Sequence, residues 1–152
     1  MTTKYKNIDL NNTEHISSIK SMLCDYFGEI GISLDDPKTN FVKHIEKIYQ
    51  PPNYILAAFD GQKIIGFVFL KSIGENIGEI QQLYVSNQQR GKKIGQLLLE
   101  NIIKTGLKEF NALRLDSKYD LVQAIALYRK LGFYEIERYN DNPHAQIFFE
   151  IS

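Results

Sequence analysis

The chain carries 152 residues, 43% of them hydrophobic and 24% charged, with 18 Lys+Arg set against 18 Asp+Glu. That is the composition of one ordinary globular domain, expected to span 1–152, and its zero net charge excludes a global field for nucleic acid or an anionic membrane. No run approaches the roughly 20 apolar residues of a membrane span, Met1–Lys20 lacks the apolar core of a signal peptide, and the lone Cys24 has no internal partner, all of which fits a cytoplasmic protein.

Lys4–Leu10 reads as a short strand. Asn11, Asn12 and Thr13 then offer N-cap oxygens to a helix over Glu14–Ile30, where Ile16, Ile19, Leu23 and Phe27 recur at helical spacing. Ile32–Asn40 reads as a loop, and Phe41–Tyr49 as a second amphipathic helix that Pro51 and Pro52 end. Asp60-Gly61, between two apolar runs within Tyr54–Ser72, is the strongest hairpin signal in the chain. With Ile77–Ser86 these runs make an antiparallel meander.

Ile94–Phe110 reads as a helix, with Ile94, Leu97, Leu98 and Ile102 on one face. Ala112–Ser117 is a strand, Asp120–Gly132 a helix closing at its glycine, and Phe133–Arg138 another strand. In the last strand, Ala145–Ser152, the residues Ile147, Phe149 and Ile151 share one face. The order is β-α-α-β-β-β-α-β-α-β-β. Its strand–helix–strand unit, Ile77–Ser117, requires a crossover, and hence a parallel pair inside a mostly antiparallel sheet.

The turn that opens the long helix, QQRGKKIG (Gln88–Gly95), concentrates chemistry. Backbone N–H groups in a helix's first turn have no internal partners, and the macrodipole adds roughly half a positive charge there. Gly91 and Gly95 permit close approach, and Arg90, Lys92 and Lys93 add full charges, which together suit a pyrophosphate. The spacing matches neither the P-loop nor the dinucleotide fingerprint. Taken alone, the segment reads equally as a solvated basic turn.

EIQQLYV, QQRGKKIG and AIALYRKLGF, in this order and spacing, resemble the GNAT N-acetyltransferase superfamily, most sharply from Gly78 to Tyr134. The resemblance implies an α+β fold of three-layer α/β/α type. Its mixed, mostly antiparallel sheet has a central parallel pair that splays around acyl-coenzyme A. It also implies transfer of an acetyl group from acetyl-CoA to an amine. The family's phosphate loop reads R/Q-x-x-G-x-G/A; here Arg90 stands first, Gly95 last, and Lys93 takes the middle glycine position. The implied cofactor residues are Leu83, Tyr84 and Val85, through main-chain pairing with the pantetheine arm, and Gln89, Arg90, Gly91, Lys92, Lys93, Ile94, Gly95 and Gln96 around the pyrophosphate.

Tyr128 matches the family's general acid for the departing thiolate, and with a reference pKa near 10 it holds its proton at neutral pH. The alternative is a core tyrosine. The asparagine that often precedes this tyrosine by seven positions is Leu121 here. Glu79 takes the place where many relatives keep a catalytic glutamate; the alternatives are a solvated sheet-face carboxylate, or a water chain as proton acceptor. By the same resemblance Tyr26, Phe27, Tyr84, Tyr139 and Asn142 would line the acceptor pocket. His15, His44 and His144 have no matching nucleophile or metal partner, so no metal is expected.

The expected function is therefore direct acetyl transfer in a ternary complex to a primary amine of a small molecule or amino acid. A protein N-acetyltransferase, or a module that binds acyl-CoA without turnover, is the alternative. The exposed edge expected for the last strand leaves room for a homodimer.

Overall fold

In the computed structural model, which describes residues 2–152, the Asp60-Gly61 signal closes a hairpin between β2 (Tyr54–Asp60) and β3 (Lys63–Ser72). Asp60 pairs with Lys63. Gly61, first of the two loop residues, takes φ 62°, where a Cβ would be strained. The third run is β4 (Ile77–Val85), antiparallel to β3. On the outer side, β1 (Thr3–Asn7) pairs with β2. It is shorter at its C-terminal end than the expected strand.

Asn12 caps α1 (Thr13–Glu29) by accepting from the His15 amide at 3.1 Å, and Ile16, Ile19, Leu23 and Phe27 are buried as their spacing required. The second helix differs from expectation. Pro37–His44 is a 3₁₀ helix, and only Ile45–Ile48 forms a turn of α-helix, α2. Local side-chain bonds explain this: Asp36 accepts from the Lys38 amide, and buried Thr39 donates to the carbonyls of Leu34 and Asp36. These bonds compete with an i→i−4 ladder.

The crossover helix α3 (Ile94–Glu109) leads to β5 (Ala112–Ser117), parallel to β4. Its buried stripe runs through Ile94, Leu98, Leu99, Ile102 and Gly106, whereas Leu97 is 40% exposed. Each wholly buried Leu or Ile contributes about 1.5–3 kcal/mol. Next come α4 (Val122–Lys130), β6 (Tyr134–Ile136) and β7 (Ile147–Ile151). β6 keeps only half of its expected length, because Arg138 bonds to the carbonyls of Asn142 and Ala145 and belongs to the loop that follows.

The sheet order is β1-β2-β3-β4-β5-β7-β6. The last strand, β7, therefore lies between β5 and β6 and has no free edge, which corrects the basis on which a dimer was expected. One apolar cluster packs α3 and α4 on one face, through Leu98, Ile102, Leu113 and Phe149. The other packs α1 and α2 on the opposite face, through Ile19, Leu23, Ile45 and Phe67.

At Gly106 α3 packs close against the sheet: a Cβ there would stand 2.9 Å from Leu113 and 3.2 Å from Leu70. Gly106→Val is expected to lower stability by about 1–3 kcal/mol through overpacking. Gly28→Ala in α1 meets nothing within 4 Å and is expected to stabilise by up to about 1 kcal/mol. Urea denaturation midpoints check both, and equal effects would contradict this packing.

Candidate active site

β4 and β5 pair at Ile77↔Ala112, Gly78↔Leu113 and Glu79↔Arg114, and no further. Beyond that point β4 continues to Val85 and β5 to Ser117 as two diverging edges. A bulge in β4 accompanies the parting. Gln82 takes φ 53°, and the register with β3 shifts between Phe67↔Tyr84 and Phe69↔Gln81. The extra residue reverses the faces: Ile80 faces the α3 cluster, and after the bulge so do Leu83 and Val85, while Tyr84 faces α1. Between Ile80 and Val85 the β5-facing edge of β4 has no strand partner among the described residues. Apart from the Val85 carbonyl, which accepts from Arg90 Nε at 3.0 Å, the backbone groups of Leu83 and Val85 on this edge have no strand partner and could pair with an extended ligand.

At the end of β4 the chain turns through Asn87–Gln89 and Gly91 (φ 82°) into α3. Lys93 is the N-cap, in the left-handed conformation at φ 63°, and its side chain makes no capping bond. A glycine is free to take this φ without strain. The first-turn N–H groups around Ile94, Gly95 and Gln96 thus remain available to an external acceptor, at the positive end of a long helix.

The three cations divide. Arg90 is already engaged: its Nε donates to the Val85 carbonyl at 3.0 Å, its Nη2 lies 2.7 Å from Glu29 Oε1, and it stacks 5.4 Å from the Tyr84 ring centroid. Tyr84, whose hydroxyl donates to Glu29 Oε2 at 2.7 Å, is pushed up to about 12 by burial and by this carboxylate. The bonds from Tyr84 and Arg90 hold Glu29 below its ordinary range. Lys92 only contacts the Gln89 side-chain oxygen, at 3.1 Å, and Lys93 projects from the cap.

On the α1 face of the sheet, between the β3–β4 turn and the last paired residues of β4 and β5, lies a cleft of about 350 Å³ lined by Lys71, Glu75, Ile77, Glu79, Gln81, Arg114, Tyr139 and Asn140 among others. Glu79 is buried, at 9% exposure, which removes the reading of it as a solvated carboxylate. It accepts from the Tyr139 hydroxyl at 2.6 Å, from Asn140 Nδ2 at 3.1 Å and from Gln81 Nε2. Asp116, on β5, accepts from Asn140 at 2.8 Å and from Asn142 at 3.4 Å. Arg114 spends its charge on Glu150 at 2.8 Å. Burial, then the Glu79 charge and hydrogen bond, drives the Tyr139 hydroxyl far above its ordinary range.

Tyr128 packs its ring against Phe133 and Phe149, each 5.9 Å away by centroid. Burial first, then Tyr26 and Asp116, pushes its hydroxyl up to about 12. Asp116 also raises Tyr26 and Tyr139, so one carboxylate acts on tyrosines from α1, α4 and the β6–β7 loop.

Hydrogen bonds and charge thus link Glu79 and Tyr139, and Asp116 with Tyr26, Tyr128, Tyr139 and Asn142, where β4 and β5 part. Phe27 is not among them: at 3% exposure it packs on Phe41 in the core behind Tyr26. Tyr84 likewise turns its side chain to Glu29 and pairs with Phe67 on β3. Asp116 and Asn140 were missed. The one signal for Asp116 is a polar side chain alternating with buried leucines in ALRLDS, which gives no hint of a partner across the sheet, and Asn140 stands in a loop, Arg138–Gln146, without periodicity to read. No group of three or more His, Cys, Asp or Glu residues suited to a metal occurs among the described residues.

The model of the acetyltransferase (GNAT) family matches residues 16–133. An uncharacterised N-acetyltransferase of Schizosaccharomyces pombe is 28% identical over 145 residues, covering 90% of this chain and 86% of the relative. A GNAT-family acetyltransferase of Staphylococcus aureus superimposes with a TM-score of 0.82 at 19% identity, over 98% of both chains. The PaiA N-acetyltransferase of Thermoplasma acidophilum, solved in complex with coenzyme A, does so with a TM-score of 0.67 at 21% identity, over 99% of this chain and 98% of that one. With the parted β4–β5 pair, the uncapped α3 N-terminus and this match over most of its length, the chain belongs to the GNAT N-acetyltransferase family.

Proposed function

We propose that the protein transfers an acetyl group from acetyl-CoA to a primary amine of a small molecule, by direct attack while both are bound. The observation that carries this reading is the placement of Glu79 and Tyr128 about one gap in the sheet, with an uncapped helix N-terminus at its other end. The residues present fit acyl-coenzyme A. The open edge of β4 at Leu83–Val85 suits the pantetheine amides, and the α3 first turn with Lys92 and Lys93 suits the pyrophosphate. The thioester supplies an acyl carbon open to attack and a thiolate leaving group.

An alkyl ammonium, with a pKa near 10, must lose a proton before it can attack. Glu79 is the group to receive it, directly or through one water, since its carboxylate is oriented by three neutral donors. As the C–N bond forms and the C–S bond breaks, charge collects on sulfur. Tyr128 stays protonated there because its hydroxyl is pushed up to about 12. A thiol of pKa ~8.5 is the stronger acid, so complete transfer from Tyr128 runs uphill. Its contribution is a hydrogen bond to the developing thiolate, which takes its final proton as the site re-equilibrates with water. Cys24 is exposed on α1, and no covalent enzyme intermediate is invoked. The cleft, into which the β6–β7 loop brings Tyr139 and Asn140, favours a small acceptor over a protein segment.

Offered acetyl-CoA and a panel of amino acids, polyamines, aminoglycosides and N-terminal peptides, the protein is expected to release free thiol with at least one small amine. Thermal stabilisation by acetyl-CoA without thiol release from any member would indicate a binding module instead. Tyr128→Phe should lower kcat on the order of a hundredfold while acetyl-CoA affinity is retained. With the hydroxyl up at about 12, ionisation of Tyr128 removes its donor only as pH rises toward that value, so it causes no loss of rate between about pH 7 and 9. Full turnover by the Phe variant would remove Tyr128 from the mechanism.

Lys93→Gly separates turn geometry from charge. Relief of the left-handed backbone is expected to raise stability by about 1 kcal/mol, while loss of the ammonium weakens acetyl-CoA binding in calorimetry, more so at low salt. Unchanged affinity would limit Lys93 to the turn.

A further inference from the structure

We infer that Asn140 is the positioning residue of the acceptor site: one side-chain amide spans the parted strands and orients an acid on each, Glu79 from β4 and Asp116 from β5. The inference rests on the acetyl-transfer reading and extends it to two residues that the sequence patterns left unassigned.

The geometry is specific. Asn140 Nδ2 lies 3.1 Å from Glu79 Oε2 and 2.8 Å from Asp116 Oδ2, so a single NH2 group uses each of its two hydrogens on a different carboxylate. The other end of the same amide is also used, since Asn140 Oδ1 accepts from the Asn142 backbone N–H at 3.1 Å. That bond fixes which way the amide faces. Flipped, its oxygen would confront two carboxylates and its NH2 would confront an N–H. Asn142 completes the arrangement by donating to Asp116 at 3.4 Å and capping the His144 amide at 3.0 Å. Arg138 closes the loop onto the carbonyls of Asn142 and Ala145.

The clamp sits where the sheet has lost its own cross-links. Strand pairing between β4 and β5 stops at Glu79↔Arg114, and Asp116 lies two residues beyond that point on β5. Asn140 replaces the missing ladder with a side-chain bridge on the α1 face, and so fixes the width of the gap at its acceptor end. Neither acid pairs with a cation among the described residues, since Arg114 is held by Glu150. Glu79 and Asp116 are satisfied by neutral donors alone. Their negative charge thus remains to attract an ammonium, while their rotamers are held. Loss of this amide lets the two like charges move apart and leaves Glu79 turned away from an incoming amine.

Asn140→Asp is the discriminating variant, because it keeps the shape and removes both N–H donors. Using acetyl-CoA and whichever panel amine turns over, kcat/KM for the amine is expected to fall about tenfold or more, with KM for acetyl-CoA changed less than about twofold. The loss should shrink as pH falls, since the introduced carboxyl regains one donor once it is protonated. In nitrogen–proton NMR spectra of the full chain, the Asn140 side-chain NH2 resonances should move in both Glu79→Gln and Asp116→Asn, but not in Glu135→Gln. Wild-type kinetics in Asn140→Asp, or NH2 resonances indifferent to either acid, would overturn the inference. If no amine turns over at all, the acetyl-transfer reading fails, and the NMR arm by itself decides whether the bridge exists.

Discussion

Three residue pairs hold β4 beside β5, and then the strands part. Everything chemical in this protein depends on that parting, because it opens a row of backbone hydrogen-bonding groups in the middle of a sheet rather than at its edge. Unpaired backbone groups in the interior are costly unless something satisfies them. The gap is tolerated because its two sides are secured separately. β4 is anchored to β3 through the bulge at Gln82, and β5 is anchored to β7 along most of its length. What remains between them is a slot lined by main-chain donors and acceptors, which is the recognition surface an extended amide-bearing arm requires.

The bulge does more than bend a strand. By adding one residue it exchanges the faces of β4, so that Glu79 and Gln81 point to the α1 side before it, and Tyr84 does so after it. Without that exchange Tyr84 would face α3, and its bond to Glu29 would be lost. That bond, with the Arg90–Glu29 pair, ties the end of α1 to the start of the phosphate loop. The most conspicuous cation of the loop thus braces the turn, and in the proposed reading direct charge for a phosphate falls to the lysines and the helix N-terminus.

The acceptor side of the proposed site is a small polar network beside a cleft lined mostly by polar and charged side chains. Burial is the first cause of the raised hydroxyls of Tyr26, Tyr128 and Tyr139, and the carboxylates of Glu79 and Asp116 act in the same direction. Both effects keep these tyrosines protonated, so each is a donor at neutral pH. A site with fixed hydroxyl and amide donors around two acids is organised before any substrate arrives, and so needs little reorganisation as charge develops.

Much of this was legible in the residue order. Local rules were enough for the hairpin at Asp60-Gly61, the cap at Asn12, the helical periods of α1 and α3, the element order, and hence the parallel β4–β5 pair. The family resemblance pointed to the turn before α3 and to Glu79 and Tyr128 as candidates. Local bonds from Asp36 and Thr39 overrode the pattern in Phe41–Tyr49, because apolar spacing does not distinguish a 3₁₀ from an α-helical turn. It took the folded chain to establish that β7 is flanked on both sides, that Phe27 is core, that Arg90 is committed to Glu29, and that Asn140 reaches both Glu79 and Asp116. The last two are contacts between residues 24 to 61 positions apart. Periodicity reports which face a residue occupies; what it meets there is set by how the strands diverge and where a distant loop comes to rest.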